Sequence, residues 1–127
     1  MMRLSITGYL LLFLTGCAAA TPGMHPVHVR NVVLAPNMEI APRTLTAAPG
    51  ETVSITNDTN HELTISFDPD ANEEIPEREL PLIPPSILSL QTVTFRLNVP
   101  GEYVYRVSSP DIVRAGPVYG RITVKAR

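Results

Sequence analysis

The chain has 127 residues, room for one domain and too few for two cores of ordinary size, which excludes most multidomain enzymes. Aromatic residues make up 6%, tryptophan is absent, and 13 prolines accompany 7 glycines, a composition suited to short strands joined by many turns rather than to long helices. A formal net charge of −2 lacks the basic balance that gives nucleic-acid binders their phosphate affinity, so no nucleic-acid partner is expected.

Met1 to Arg3 carry one positive charge, Leu4 to Leu14 form an apolar run, and Leu14-Thr15-Gly16-Cys17 follows. A charged start, an apolar middle and small residues before a cut site describe a signal peptide. The run is about half the roughly 20 residues that a helix needs to cross the hydrocarbon core. The LTGC tetrapeptide resembles the lipobox of bacterial lipoproteins. That resemblance implies cleavage before Cys17, a diacylglyceryl thioether on its sulfur, and acylation of the new amino terminus with chains such as palmitate. Two or more acyl chains anchor a protein stably where one does not. Ala18 to about Pro26 is small, polar or proline-containing and reads as a tether. The expected organisation is therefore a signal peptide over 1–16, a lipidated tether over 17–26 and a folded domain over 27–127. The domain would face the periplasm from a membrane. Ala18 and Ala19, with no aspartate directly after Cys17, resemble the outer-membrane sorting pattern of enteric bacteria.

From Val27 onward, short segments of period two alternate with turn residues. Val27 to Leu34, Thr44 to Ala47 and Thr52 to Thr56 are expected strands, with Pro49-Gly50 turning the chain between the last two. After the turn-rich Asn57-Asp58-Thr59-Asn60, a strand over 61–67 would set His61, Leu63, Ile65 and Phe67 on one face, so the imidazole is expected to point with the apolar set. Val93, Phe95, Leu97 and Val99 alternate with polar residues, Pro100-Gly101 turns the chain, and Tyr103, Tyr105 and Val107 alternate again. Ile122 and Val124 mark the closing strand. Asn57-Asp58-Thr59 matches a glycosylation sequon and is read as chance.

Between these strands, Asp68 to Glu79 holds six acids, Glu73, Glu74 and Glu77 among them, against one base, Arg78. Asp68, Asp70, Asn72 and Glu79 fall at positions 1, 3, 5 and 12 of a calcium-loop template, but the glycine required at position 6 is Glu73 and no flanking helices are expected. The stretch reads instead as a solvated acidic loop, with Glu73, Glu74 and Glu77 as candidates for docking a basic partner.

Four pieces, in order, resemble the cupredoxins: Ala48-Pro49-Gly50-Glu51-Thr52-Val53, the Asn-rich loop into His61, Pro100-Gly101-Glu102-Tyr103-Val104-Tyr105, and Gly120-Arg121-Ile122-Thr123-Val124. The resemblance covers most of residues 36–127 and implies an all-β Greek-key sandwich of seven or eight strands. In that family a type 1 copper is held by one histidine before the middle strands, then a cysteine, a second histidine and usually a methionine. Carried over, the first histidine matches His61, the cysteine position falls on Val107, and the methionine position falls near Val118. Residues 108–117 contain no histidine. A type 1 site requires a thiolate, and Cys17 is the only cysteine in the chain. The same fact leaves no intramolecular disulfide, so the sandwich must be stabilised by its core.

The expected protein is a non-catalytic, cupredoxin-like envelope lipoprotein without a type 1 copper site or other cofactor, binding or supporting an envelope protein. The surfaces to watch are the acidic loop and the loop over 108–119. The alternative is a copper-handling protein using imidazole and thioether ligands, from Met24, His25, His28 and His61, with Met38 further on. No nucleophile elbow, phosphate-cradling glycine loop or zinc-protease motif is present in the sequence.

Overall fold

In the computed structural model, which describes residues 29–111 and 116–126, the alternating segments pair into eight strands. They are β1 (Val29–Leu34), β2 (Ile40–Ala41), β3 (Thr44–Ala47), β4 (Thr52–Asn57), β5 (Thr64–Ser66), β6 (Thr92–Arg96), β7 (Gly101–Ser108) and β8 (Val118–Val124). One sheet runs β2-β1-β4-β6 and the other β3-β8-β7-β5. Each sheet contains one parallel pair, β1 with β4 and β3 with β8, among antiparallel ones. This is the all-β sandwich that the alternation predicts. Among the described residues, no helix is long and apolar enough to cross a membrane.

The period-two faces meet between the sheets. Val53 and Ile55 of β4, Tyr103, Tyr105 and Val107 of β7, and Ile122 and Val124 of β8 are all buried. Phe67 packs edge-on against Phe95 at 5.5 Å and 76°, tying the two sheets together. Each fully buried large apolar side chain contributes about 1.5–3 kcal/mol. Two glycines are dictated by geometry. Gly50 takes φ 83 at the third position of the Ala48–Glu51 turn, closed by Glu51 N donating to Ala48 O at 3.2 Å. Gly120 lies opposite Tyr105 across β7 and β8, where a Cβ would overlap the phenol ring.

The expected strand over 61–67 is shorter. Only Thr64–Ser66 pairs with β7, while Leu63 bridges to Ile87 on the other side. Where β5 ends, the side chain of Asn72 continues its role. Asn72 Nδ2 donates to Val104 O at 3.0 Å, and Val104 N donates to Asn72 Oδ1 at 2.7 Å. These are the β7 main-chain groups that a longer β5 would have bonded. The acidic stretch is therefore docked rather than merely solvated, with Asn72 and Ile75 both buried and two 3-10 turns over Pro69–Ala71 and Glu77–Glu79. The two-residue β2 shows no periodicity of its own; it forms because Val33 and Leu34 offer it an edge.

Candidate functional site

The resemblance places a metal at the end of the sandwich where β4, β7 and the loop into β5 meet. Asn57, fully buried at the end of β4, organises this end. Its Nδ2 donates to His61 O at 2.8 Å and to Ile87 O at 2.9 Å, and its Oδ1 accepts from Thr59 N at 2.9 Å and Thr59 Oγ1 at 2.6 Å. His61 N donates back to Thr59 Oγ1 at 3.1 Å. Every donor of this buried amide is used, so the loop over 57–61 is built as a closed set of hydrogen bonds.

That closure corrects the expected orientation of His61. The residue sits in a bend before β5, its side chain is 39% exposed, and its Nδ1 stands 3.8 Å from Asp111 Oδ2. The imidazole points outward, away from the apolar set, because side-chain bonds to the loop main chain override strand alternation here. At 3.8 Å the contact with Asp111 is longer than a hydrogen bond. Asp111 is itself held by its N donating to Ser109 Oγ at 3.2 Å, and Ser109 Oγ donates to Glu62 O at 3.2 Å.

Val107 occupies the position that the resemblance gives to the thiolate. It is 1% exposed, with Ile65 and Val118 as its cross-strand partners. The place is filled by hydrocarbon. Val118, at the methionine position, packs against the core. Among the described residues, no three His, Cys, Asp or Glu side chains come close enough to hold a metal ion. The residues present do not fit a type 1 copper: they supply one imidazole and one carboxylate, and no soft ligand faces them at Val107.

The other expected residues fall in separate places. Met38 packs against the core and lines a groove of about 430 Å³ with Ile40, Arg43 and Val118. Glu73 and Glu74 are exposed beside Asp70 and Glu102 around a depression of about 270 Å³, and Glu77 lies in the exposed second 3-10 turn. The calcium template is not realised, because the Asn72 amide is spent on Val104 and Asp68 faces Arg106 at 3.5 Å. Cys17, Met24, His25 and His28 lie outside the described residues, as do the signal peptide, the tether and positions 112–115 of the loop over 108–119. Pattern reading missed Asn57, Thr59 and Asn72. A polar residue at a strand end followed two positions later by threonine was the available signal for the first two.

Two tyrosines inside the sandwich differ in kind. Tyr103 OH donates to Val99 O at 2.6 Å. Burial raises its pKa, and the charge of Glu79 adds to the rise. Tyr105 OH is buried and has no hydrogen-bond partner among the described residues, and burial pushes its pKa far up.

No family model matches the chain, and no curated protein is similar to it in sequence. Solved structures do resemble it. A purple cupredoxin from Nitrosopumilus maritimus is 17% identical with a TM-score of 0.54, over 76% of this chain and 99% of that one. An amicyanin variant in its Cu(I) form is 18% identical with a TM-score of 0.58, over 80% of this chain and 87% of that one. The oxidised plastocyanin of Dryopteris crassirhizoma is 18% identical with a TM-score of 0.50, over 75% and 99%. With two four-stranded sheets, a histidine at the first ligand position and valine at the thiolate position, the chain has the fold of the cupredoxins and lacks their type 1 ligand set.

Proposed function

We propose that this protein is a lipid-anchored, non-catalytic module of the cell envelope that uses the cupredoxin sandwich as a binding scaffold and holds no type 1 copper. The observation that carries the reading is Val107, buried between Ile65 and Val118 where the fold's electron carriers need a thiolate, in a chain whose single cysteine is Cys17. A thiolate is what binds copper and sets its potential in such sites. Lipidation would consume the one thiol the chain has.

The geometry suits display from a membrane. The tether over 17–26 precedes β1, and β1 starts level with Thr52 and ends level with Asn57. The end bearing His61 and Asp111 is thus one strand length from the start of β1, about 20 Å at the usual rise per residue. The exposed Glu73, Glu74 and Glu77 offer a second surface suited to a basic envelope partner.

Two measurements test this. Mass spectrometry of the purified full chain is expected to show cleavage before Cys17 and an acylated amino terminus, and Cys17→Ser is expected to release the protein from membranes. An unmodified Cys17 in a membrane-free protein contradicts the anchor. Replacing Glu73, Glu74 and Glu77 by lysine is expected to deplete partners captured by crosslinking in cells; an unchanged set contradicts docking through that loop.

A further inference from the structure

Two four-stranded sheets leave four edges, and three of them are short or blocked. β2 has two residues, β3 has four and stands between Pro42 and Pro49, and β5 has three, with Ile87 bridging to Leu63 beside it. β6 differs. It runs for five residues, Thr92–Arg96, holds no proline, and among the described residues has β4 as its one strand partner.

Asn57 N donates to Gln91 O and Gly50 N to Leu97 O, both at 2.9 Å, so the residues flanking β6 turn their main-chain groups toward β4. Those groups alternate direction along an antiparallel strand. The N–H and C=O of Thr92, Thr94 and Arg96 therefore point out of the sheet edge, and all three residues are exposed. On the outer face, Asn31, Ser54 and Thr94 lie in one row across β1, β4 and β6, with Val33, Thr56 and Thr92 on one side and Val29, Thr52 and Arg96 on the other. Arg96 is the single charge among these nine residues. Ser54 Oγ donates to Asn31 Oδ1 at 2.6 Å, and the hydroxyls of Thr56 and Thr92 are 2.8 Å apart, so polar groups are satisfied within the face.

We propose that β6 pairs antiparallel with β6 of a second copy about Thr94, joining two sheets of four strands into one of eight. The outward main-chain groups set this register. With Thr94 opposite its counterpart, Thr92 meets Arg96 of the second copy, and all three residues find a bonding partner. A shift by two residues either way leaves one of the three without a counterpart in β6. The side chains agree with the same register. Threonine lies against threonine at the centre, Val93 lies against Phe95 on the core face, and no like charges stand opposite. The strand is thus complementary to itself about its middle residue, which selects a second copy as the occupant. Such an interface is isologous and closes at two copies. It uses neither Cys17 nor His61, so it does not depend on lipidation or on metal.

Sedimentation of the purified full chain across a concentration series is expected to show a monomer–dimer equilibrium. Thr94→Lys and Thr94→Glu change an exposed side chain and leave the bonds to β4 in place. Each sets like charges opposite and should weaken the dimer about tenfold. Mixing the two variants should restore a dimer of one copy of each, because lysine then faces glutamate, and that recovery excludes loss of fold as the cause. Thiols read the register in a Cys17→Ser background, where an introduced cysteine is the only one. Thr94→Cys should oxidise to a linked dimer, its α-carbons lying about 5.5 Å apart. Thr92→Cys should not, being offset by about 13 Å along the strand from its counterpart. A parent chain that stays monomeric, an association that survives both charge variants, no recovery on mixing, or linking of Thr92→Cys as readily as Thr94→Cys would each overturn the proposal.

Discussion

The side-chain amide of Asn57 donates to the main-chain oxygen of His61 at 2.8 Å, and with its second hydrogen to Ile87 O at 2.9 Å. One buried side chain thereby joins the end of β4, the loop into β5 and the strand segment that returns toward β6. His61 is positioned through its backbone, while its ring is left at the surface.

Asn57→Leu keeps the branching of the side chain and removes these bonds. His61 O, Ile87 O and Thr59 N then lose a partner at a buried site, and the expected loss is about 2–4 kcal/mol. Urea unfolding should show a lower midpoint with an unchanged slope. Asp111→Asn, by contrast, acts on an exposed pair at 3.8 Å and should change stability by less than about 0.5 kcal/mol.

The two core tyrosines should respond oppositely to loss of their hydroxyls. Tyr103→Phe leaves Val99 O without its 2.6 Å bond and should cost about 1 kcal/mol. Tyr105→Phe removes a buried hydroxyl that has no partner among the described residues, and should be neutral or stabilising by up to about 1 kcal/mol. Thermal unfolding of the two variants side by side reads the difference.

Alkaline pH should act most strongly through Tyr105, the more deeply shifted of the two phenols. Its folded-state pKa is raised above the ordinary phenol value of 10.0 by burial. The folded state then holds the proton more tightly than the unfolded chain. Its contribution is fully present below pH 10.0 and is lost as pH rises toward the raised value. Stability measured against pH should fall above that point, and Tyr105→Phe should flatten the fall.

Gly120→Ala forces a Cβ into the ring of Tyr105 and should destabilise by about 1–3 kcal/mol. Adding Tyr105→Leu should recover part of that loss, giving a non-additive double-mutant cycle. Full additivity would show that the ring is not what excludes a side chain at position 120.

Leu90 holds φ 67 at an exposed turn, with its N–H bonded to Asn57 O at 2.7 Å. A bulky residue in the left-handed region is strained by about 1–2 kcal/mol, part of which glycine returns as extra freedom in the unfolded chain. Leu90→Gly should therefore raise stability by up to about 1 kcal/mol in the same unfolding assay.

What could be read from the residues follows from period. In β7 and β8 one face is buried and the other is not, and in β4 the buried residue of the opposite face, Ser54, is polar, so Val53, Ile55, Tyr103, Tyr105, Ile122 and Val124 announce the core by spacing two. The valine at the thiolate position was legible for the same reason, since it continues the Tyr103 and Tyr105 face. Side-chain bonds to main chain carry no period. Asn57 and Asn72 therefore looked like loop residues, although one closes the His61 loop and the other stands in for a missing stretch of β5. His61 was misplaced because its spacing fitted the strand while the bonds of its loop did not. The parallel pairing of β1 with β4 joins segments more than twenty residues apart and leaves no local trace.

The most direct test of the account is titration of the purified full chain with Cu(I) and Cu(II). A sandwich with Val107 in place of a thiolate should bind neither ion more tightly than micromolar and should show no thiolate-to-copper colour. Stoichiometric binding tighter than micromolar that is lost in His61→Ala would contradict it.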